Sequence, residues 1–171
     1  MIILVGPVGS GAHELANELS GRGLTVADAN KHVEEKSGLS LSDISITRGA
    51  EAYNKAERES SLAALESGKD VVVLSSGALG NSLEDEKGTE VRAKISELVA
   101  SGATKYFLTA EAKVLMERAG LNVPRSVAIG SPRSTFLTQL KAREAVYAAE
   151  AEKVDTSSGD WEALALRITG Q

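Results

Sequence analysis

The sequence predicts a three-layer α/β fold, a parallel sheet with helices on both faces. Two observations carry this. Short apolar runs closed by glycine alternate along the chain with longer segments of helical periodicity, the pattern of a doubly wound sheet. The first run, Ile2–Val5, is apolar at every position, as a strand covered on both sides must be. At 171 residues, with neither repeat nor linker, the chain suits one domain spanning 1–171.

Each element then follows in order. Residues 12–21 place Leu15, Ala16 and Leu19 on one helical face, and Gly21 and Gly23 end the helix. Residues 24–27 read as a second strand, with Asp28 at its carboxyl end. Residues 29–36 read as a helix that turns at Ser37 and Gly38. Ser42 opens a short helix, and residues 49–66 form a long one. The clearest central strand is 69–74, closed by Ser75, Ser76 and Gly77. A helix over 90–101, a strand over 105–108 and a helix over 111–119 come next. Pro124, Gly130 and Pro132 surround residues 126–129 and mark a lid-like segment near 120–134. A helix is expected over 132–152 with a break near Arg143, then a strand over 153–156 and a closing helix over 161–169.

Composition excludes some functions. A net charge of −5 gives no general case for binding nucleic acid or an anionic membrane. The absence of cysteine excludes disulfides and thiolate metal sites and fits a reducing cytoplasm. The apolar start lacks a basic leader and stops at Gly6, too short for a signal peptide or a membrane span. With aromatic residues at 4%, the core must be aliphatic.

Between the first strand and first helix lies Gly6-Pro7-Val8-Gly9-Ser10-Gly11-Ala12-His13. A phosphate-binding loop has the pattern G-x-x-x-x-G-K-[ST] in that place. Its glycines let backbone N–H groups curl around an anion at a helix N-terminus. Gly6, Gly9, Ser10 and Gly11 preserve the backbone part. Ala12 stands at the lysine position and His13 at the Mg²⁺-binding hydroxyl position. A methyl group supplies no charge to a phosphate, and imidazole is a poor ligand for so hard a cation.

Further motifs follow in a fixed order. They are Asp28-Ala29-Asn30 with Val33-Glu34, then Ser37-Gly38-Leu39-Ser40 leading to Asp43-Ile44, then 49–57 with Tyr53, Asn54 and Glu57. Ser75-Ser76-Gly77, Glu117-Arg118-Ala119-Gly120, Pro124-Arg125, Arg143-Glu144-Ala145-Val146-Tyr147 and Asp155-Thr156 complete the series. In this order, and over nearly the whole chain, they resemble the shikimate kinase family. The resemblance implies a P-loop NTPase fold of the nucleoside-monophosphate-kinase-like kind, with ATP and Mg²⁺ as cofactors if nucleotide binding is retained. It assigns Gly6, Gly9, Ser10, Gly11, Ala12, His13 and Arg118 to the nucleotide, Asp28 to Mg²⁺, and Asp28 and Asn30 to catalysis. Asn54, Ser75, Ser76, Gly77, Arg125 and Arg143 fall on the substrate side.

The departures fall on the chemistry. Asn30 stands where the family has an aspartate contacting the hydroxyl that receives phosphate, and an amide takes no proton there. Asn54 replaces an arginine that clamps the substrate carboxylate. Ser75 and Ser76 put side chains where the family has glycine, and Pro124-Arg125 reverses the lid order. The expectation is a shikimate-kinase-like cytoplasmic protein, weak or inactive in phosphoryl transfer. It retains at most binding of a nucleotide, a small acid or a protein partner, with no nucleic acid or membrane. The alternatives are an active kinase of shikimate or another hydroxylated metabolite, and an interaction module without a small ligand.

Other residues have plainer readings. His13 is expected to cap the loop and His32 to lie on a solvated face, since two histidines without cysteine make no typical metal site. Residues 84–87 read as a solvated acidic loop, Trp161 as a core anchor, and Tyr53 as packing with its hydroxyl at the pocket edge. Arg58, Lys55 and Lys36 are expected near the pocket, as candidate substitutes for the missing lysine charge.

Overall fold

In a computed structural model, which describes residues 1–121 and 132–170, the apolar runs become the strands of one parallel sheet. The strands are β1 (Ile2–Val5), β2 (Val26–Asp28), β3 (Val71–Val73), β4 (Thr104–Thr109) and β5 (Ala151–Asp155), in the order β2-β3-β1-β4-β5. Leu4 lies opposite Val73 on one side and Tyr106 on the other. Because successive side chains point to opposite faces, β1 divides between two cores. Ile3 and Val5 join Val72, Phe107, Leu65 and Tyr147 on one face. Leu4 joins Leu15, Leu19, Tyr106 and Val154 on the other.

The helices covering these faces are α1 (Ala12–Gly21), α2 (Ala29–Ser37), α3 (Leu41–Leu65), α4 (Thr89–Ala100), α5 (Ala112–Arg118), α6 (Pro132–Ala148) and α7 (Trp161–Thr169). The Asp28 side chain caps α2, accepting from the Asn30 and Lys31 N–H groups. A reciprocal capping box between Ser40 and Asp43 starts α3. The two expected helices at 42 and 49–66 are the halves of α3. They meet at Gly49, whose φ of 87° and ψ of 177° are open essentially to glycine alone.

Three expectations need correction. The helix expected over 132–152 ends at Ala148, runs unbroken through Arg143, and gives way to β5 at Ala151. The buried Lys105 ammonium donates to the Val146 and Ala149 carbonyls, and Glu150 turns the chain at a φ of 55°. The acidic segment is not all loop, because residues 86–88 form a 3-10 turn capped by Asp85. Arg92 holds the neighbouring chain by donating to the carbonyls of Leu79, Leu83 and Asp85. Strands β2 and β3 are shorter than 24–27 and 69–74 suggested. The Thr25 and Asp70 side chains take each other's N–H groups, while their carbonyls still accept from Val71 and Ile2 in the neighbouring strands. Among the described residues no helix is long and apolar enough to cross a membrane.

Candidate functional site

The glycine-rich loop joins β1 to α1 along the carboxyl ends of the strands, where ligands bind in open parallel sheets. Gly11 is required there twice over. Its φ is 85°, and a Cβ on it would lie 2.2 Å from the Trp161 ring. Trp161 thus packs on the loop as well as on the core. The Arg118 guanidinium sits 5.2 Å from the centre of the indole and donates to the carbonyls of Gly9 at 3.2 Å and Thr156 at 2.7 Å. The Thr156 hydroxyl donates in turn to the buried Ser10 carbonyl. One side of the guanidinium that the resemblance assigns to the nucleotide is therefore already occupied by an indole. The Ala12 methyl is buried, while the N-terminus of α1 has no side-chain cap and still presents its N–H groups.

His13 does not cap the loop. Its Nδ1–H donates to Asp28 Oδ2 at 2.6 Å, bridging the start of α1 to the end of β2. The hydrogen bond and the carboxylate charge raise the His13 pKa above its ordinary 6.5. Burial pushes the Asp28 carboxyl up, but the His13 contact and the N–H groups of α2 outweigh it and hold the group below its ordinary value. Asn30 completes the cluster, with Nδ2 3.5 Å from His13 Nε2 and Oδ1 buried without a partner. Turning this amide over gives a protonated Nε2–H an acceptor in Oδ1, which relieves both the orphan oxygen and the charge.

The second cluster surrounds residues 75–77. The Glu57 carboxylate is buried under the turn, and its Oε1 accepts from the Ser75 hydroxyl at 2.6 Å, the Gly77 N–H at 3.0 Å and the Tyr53 hydroxyl at 3.4 Å. Burial still dominates and raises the Glu57 pKa. From the other side, Tyr147 and Arg143 donate to the Ser76 carbonyl, and Arg143 Nε donates to Asn81. Burial pushes the Tyr147 phenol up to about 12. Ser75 therefore turns inward to Glu57, leaving the Ser76 backbone as the meeting point. The cleft between Asn54, Arg58, Gly77 and Arg143 encloses about 50 Å³. Ligand clefts run roughly 300–1,000 Å³.

The expected site residues thus gather in two groups, Asp28 and Asn30 with His13, and Asn54 and Ser76 with Arg143. Arg125 lies outside the described residues, as does most of the lid-like segment. Lys36 and Lys55 are not beside the loop: they line a separate cavity between α2 and α3, while Arg58 borders the cleft. Glu57 carries most of the second group, though the 49–57 motif named it without a role. Its signal was a carboxylate in register with Ser60, Ser61 and Ala64 on the buried side of α3. Mg²⁺ demands near-octahedral oxygen coordination. Asp28 already gives Oδ2 to His13 and Oδ1 to α2, and among the described residues no three acidic or histidine side chains gather. These residues do not fit the ion.

A family model described as "SKI: Shikimate kinase" matches residues 9–170. Curated relatives named shikimate kinase include one from Thermobifida fusca, 29% identical over 86% of this chain and 79% of its own length. Another from Caulobacter vibrioides is 31% identical over 93% of this chain and 74% of its own length. Among solved structures, shikimate kinase from Acinetobacter baumannii in complex with shikimate has a TM-score of 0.79 at 21% identity, covering 98% of this chain and 89% of that one. The shikimate kinase from Aquifex aeolicus gives 0.67 at 20% identity, with coverage of 99% and 97%. At such identities these structures speak to the fold.

Proposed function

The chain belongs to the shikimate kinase family, and from that premise we propose that it has given up efficient phosphoryl transfer and retains at most the binding of a nucleotide, a small acid or a partner. The observation that carries this reading is the 2.6 Å contact between His13 and Asp28. It spends the one retained carboxylate on an imidazole at the position the family gives to a metal-binding hydroxyl. Phosphoryl transfer depends on placed positive charge and bound metal. Here the lysine position is a buried methyl, and the imidazole beside it is held by the Asp28 carboxylate. The narrow cleft and the loss of a guanidinium at Asn54 support the same conclusion for the acid substrate.

The loop backbone and the open N-terminus of α1 are the parts suited to holding a phosphate. Calorimetric titration with Mg·ATP, Mg·ADP and shikimate, beside a coupled kinase assay on the same protein, tests the reading. The expected result is weak nucleotide binding, little dependent on Mg²⁺, without turnover. Turnover in the usual kinase range of about 1–100 per second would refute it.

A further inference from the structure

An apolar opening in the helical layer lies away from both clusters. The break at Gly49 ends the first half of α3 and redirects the second, so that the two halves and α2 enclose a cavity of about 450 Å³. Ile44 and Arg48 are one turn apart and share a face of the first half. Val33 and Lys36 do the same on α2, and Ala52 and Ala56 on the second half. The inner wall is apolar, with Val33 and Ile44 almost fully buried. This is the opposite side of α3 from Asn54 and Glu57.

The rim is cationic. Lys36, Arg48 and Lys55 border the opening, against Glu59, which lies 3.9 Å from Lys55. Among the described residues, the side chains of Lys36 and Arg48 have neither a hydrogen bond nor an ion pair. Two cations free to take a ligand thus border one apolar wall. The volume falls in the range of small-molecule sites, roughly 300–1,000 Å³. Together these features call for a ligand with an apolar body and one anionic head.

We propose that this cavity is a binding site for a small amphipathic carboxylate, a ring-sized hydrocarbon seated on Val33 and Ile44 with its carboxylate between Lys36 and Arg48. The site does not depend on the loop or on nucleotide binding. The cavity wall takes the apolar body out of water, and the two cations fix its orientation. Guanidinium and carboxylate pair in a fork geometry that lysine alone does not provide.

The probe is 1-naphthoate, titrated by its fluorescence and by calorimetry, with 1-naphthamide as the neutral counterpart. Naphthoate is expected to bind more tightly than about 1 mM, and the amide about tenfold more weakly. Lys36 and Arg48 are at the surface, so the K36A/R48A double variant should fold and lose about tenfold in naphthoate affinity. A56L, which fills the cavity and keeps both charges, should abolish binding. Equal affinity for acid and amide, unchanged affinity in the double variant, or no binding to the unaltered protein up to about 1 mM would each overturn the proposal.

Discussion

Replacing Asp28 by alanine removes the cap of α2 and the partner of His13 in one step. The cap consists of the Asn30 N–H at 2.9 Å and the Lys31 N–H at 3.3 Å on Oδ1. Losing a side-chain cap costs about 1 kcal/mol. The ion pair is discounted because the His13 side chain is 49% exposed, and such a pair contributes about 0.5 kcal/mol. The sum is about 1.5 kcal/mol, a fall of about 3–6 °C in Tm for a chain of this length. Asp28→Asn keeps an oxygen for the cap and should lose about 0.5 kcal/mol. The pair also has a pH signature. His13 is raised above 6.5, so its stabilisation is complete below that value and is lost as pH rises through the raised folded value. Asp28 is lowered below 3.8, so its contribution is present above that value and is lost as pH falls through the lowered one. The difference between the unaltered protein and His13→Ala should be greatest between about pH 4 and 6.5, and small near pH 9. Urea unfolding followed by circular dichroism measures both effects. An Asp28→Ala variant within about 0.3 kcal/mol of the parent, or a His13→Ala difference flat with pH, would refute the reasoning.

Two further perturbations probe the remaining contacts. Glu57→Gln keeps an oxygen for Ser75 and Gly77 while removing a buried charge. Because burial raises the Glu57 pKa above 4.5, the parent should gain stability relative to the variant as pH falls from about 7 to 4, in urea unfolding run at each pH. Trp161→Leu keeps apolar cover on the loop and frees the face of Arg118 that the indole occupies at 5.2 Å. A stack of about 0.5–1 kcal/mol then no longer competes with a purine, and ADP affinity by calorimetry should rise about two- to fivefold.

Much of the fold was legible because its signals are local. Ile2–Val5 announces a doubly covered strand by composition alone, and the helix expected from Ser42 begins one residue earlier, at Leu41, behind a Ser40–Asp43 box. The C-terminal limit of α6 was not legible, since it depends on Lys105, forty-one residues before Val146 in sequence. A lysine in a strand reads as an edge residue until the fold shows two helix carbonyls awaiting it. The loop departures at Ala12 and His13 were visible, but the consequence for Asp28 was not. It required α1 and β2 to lie side by side. The role of Glu57, named only as part of a motif, was hidden for a related reason: periodicity counts a carboxylate as solvent-facing, and only the 75–77 turn above it explains its burial.

That turn is held before any ligand arrives. Its central carbonyl is gripped from α6 and its flanking donors from α3, so two helices distant in sequence meet on three residues. Ordering a long side chain on binding costs about 0.5–1.5 kcal/mol of lost rotamer freedom. For Arg143 and Tyr147 that entropy was surrendered when the chain folded. A molecule reaching this surface meets a rigid template, and discrimination there rests on shape, with little adjustment by the protein to rescue a poor fit.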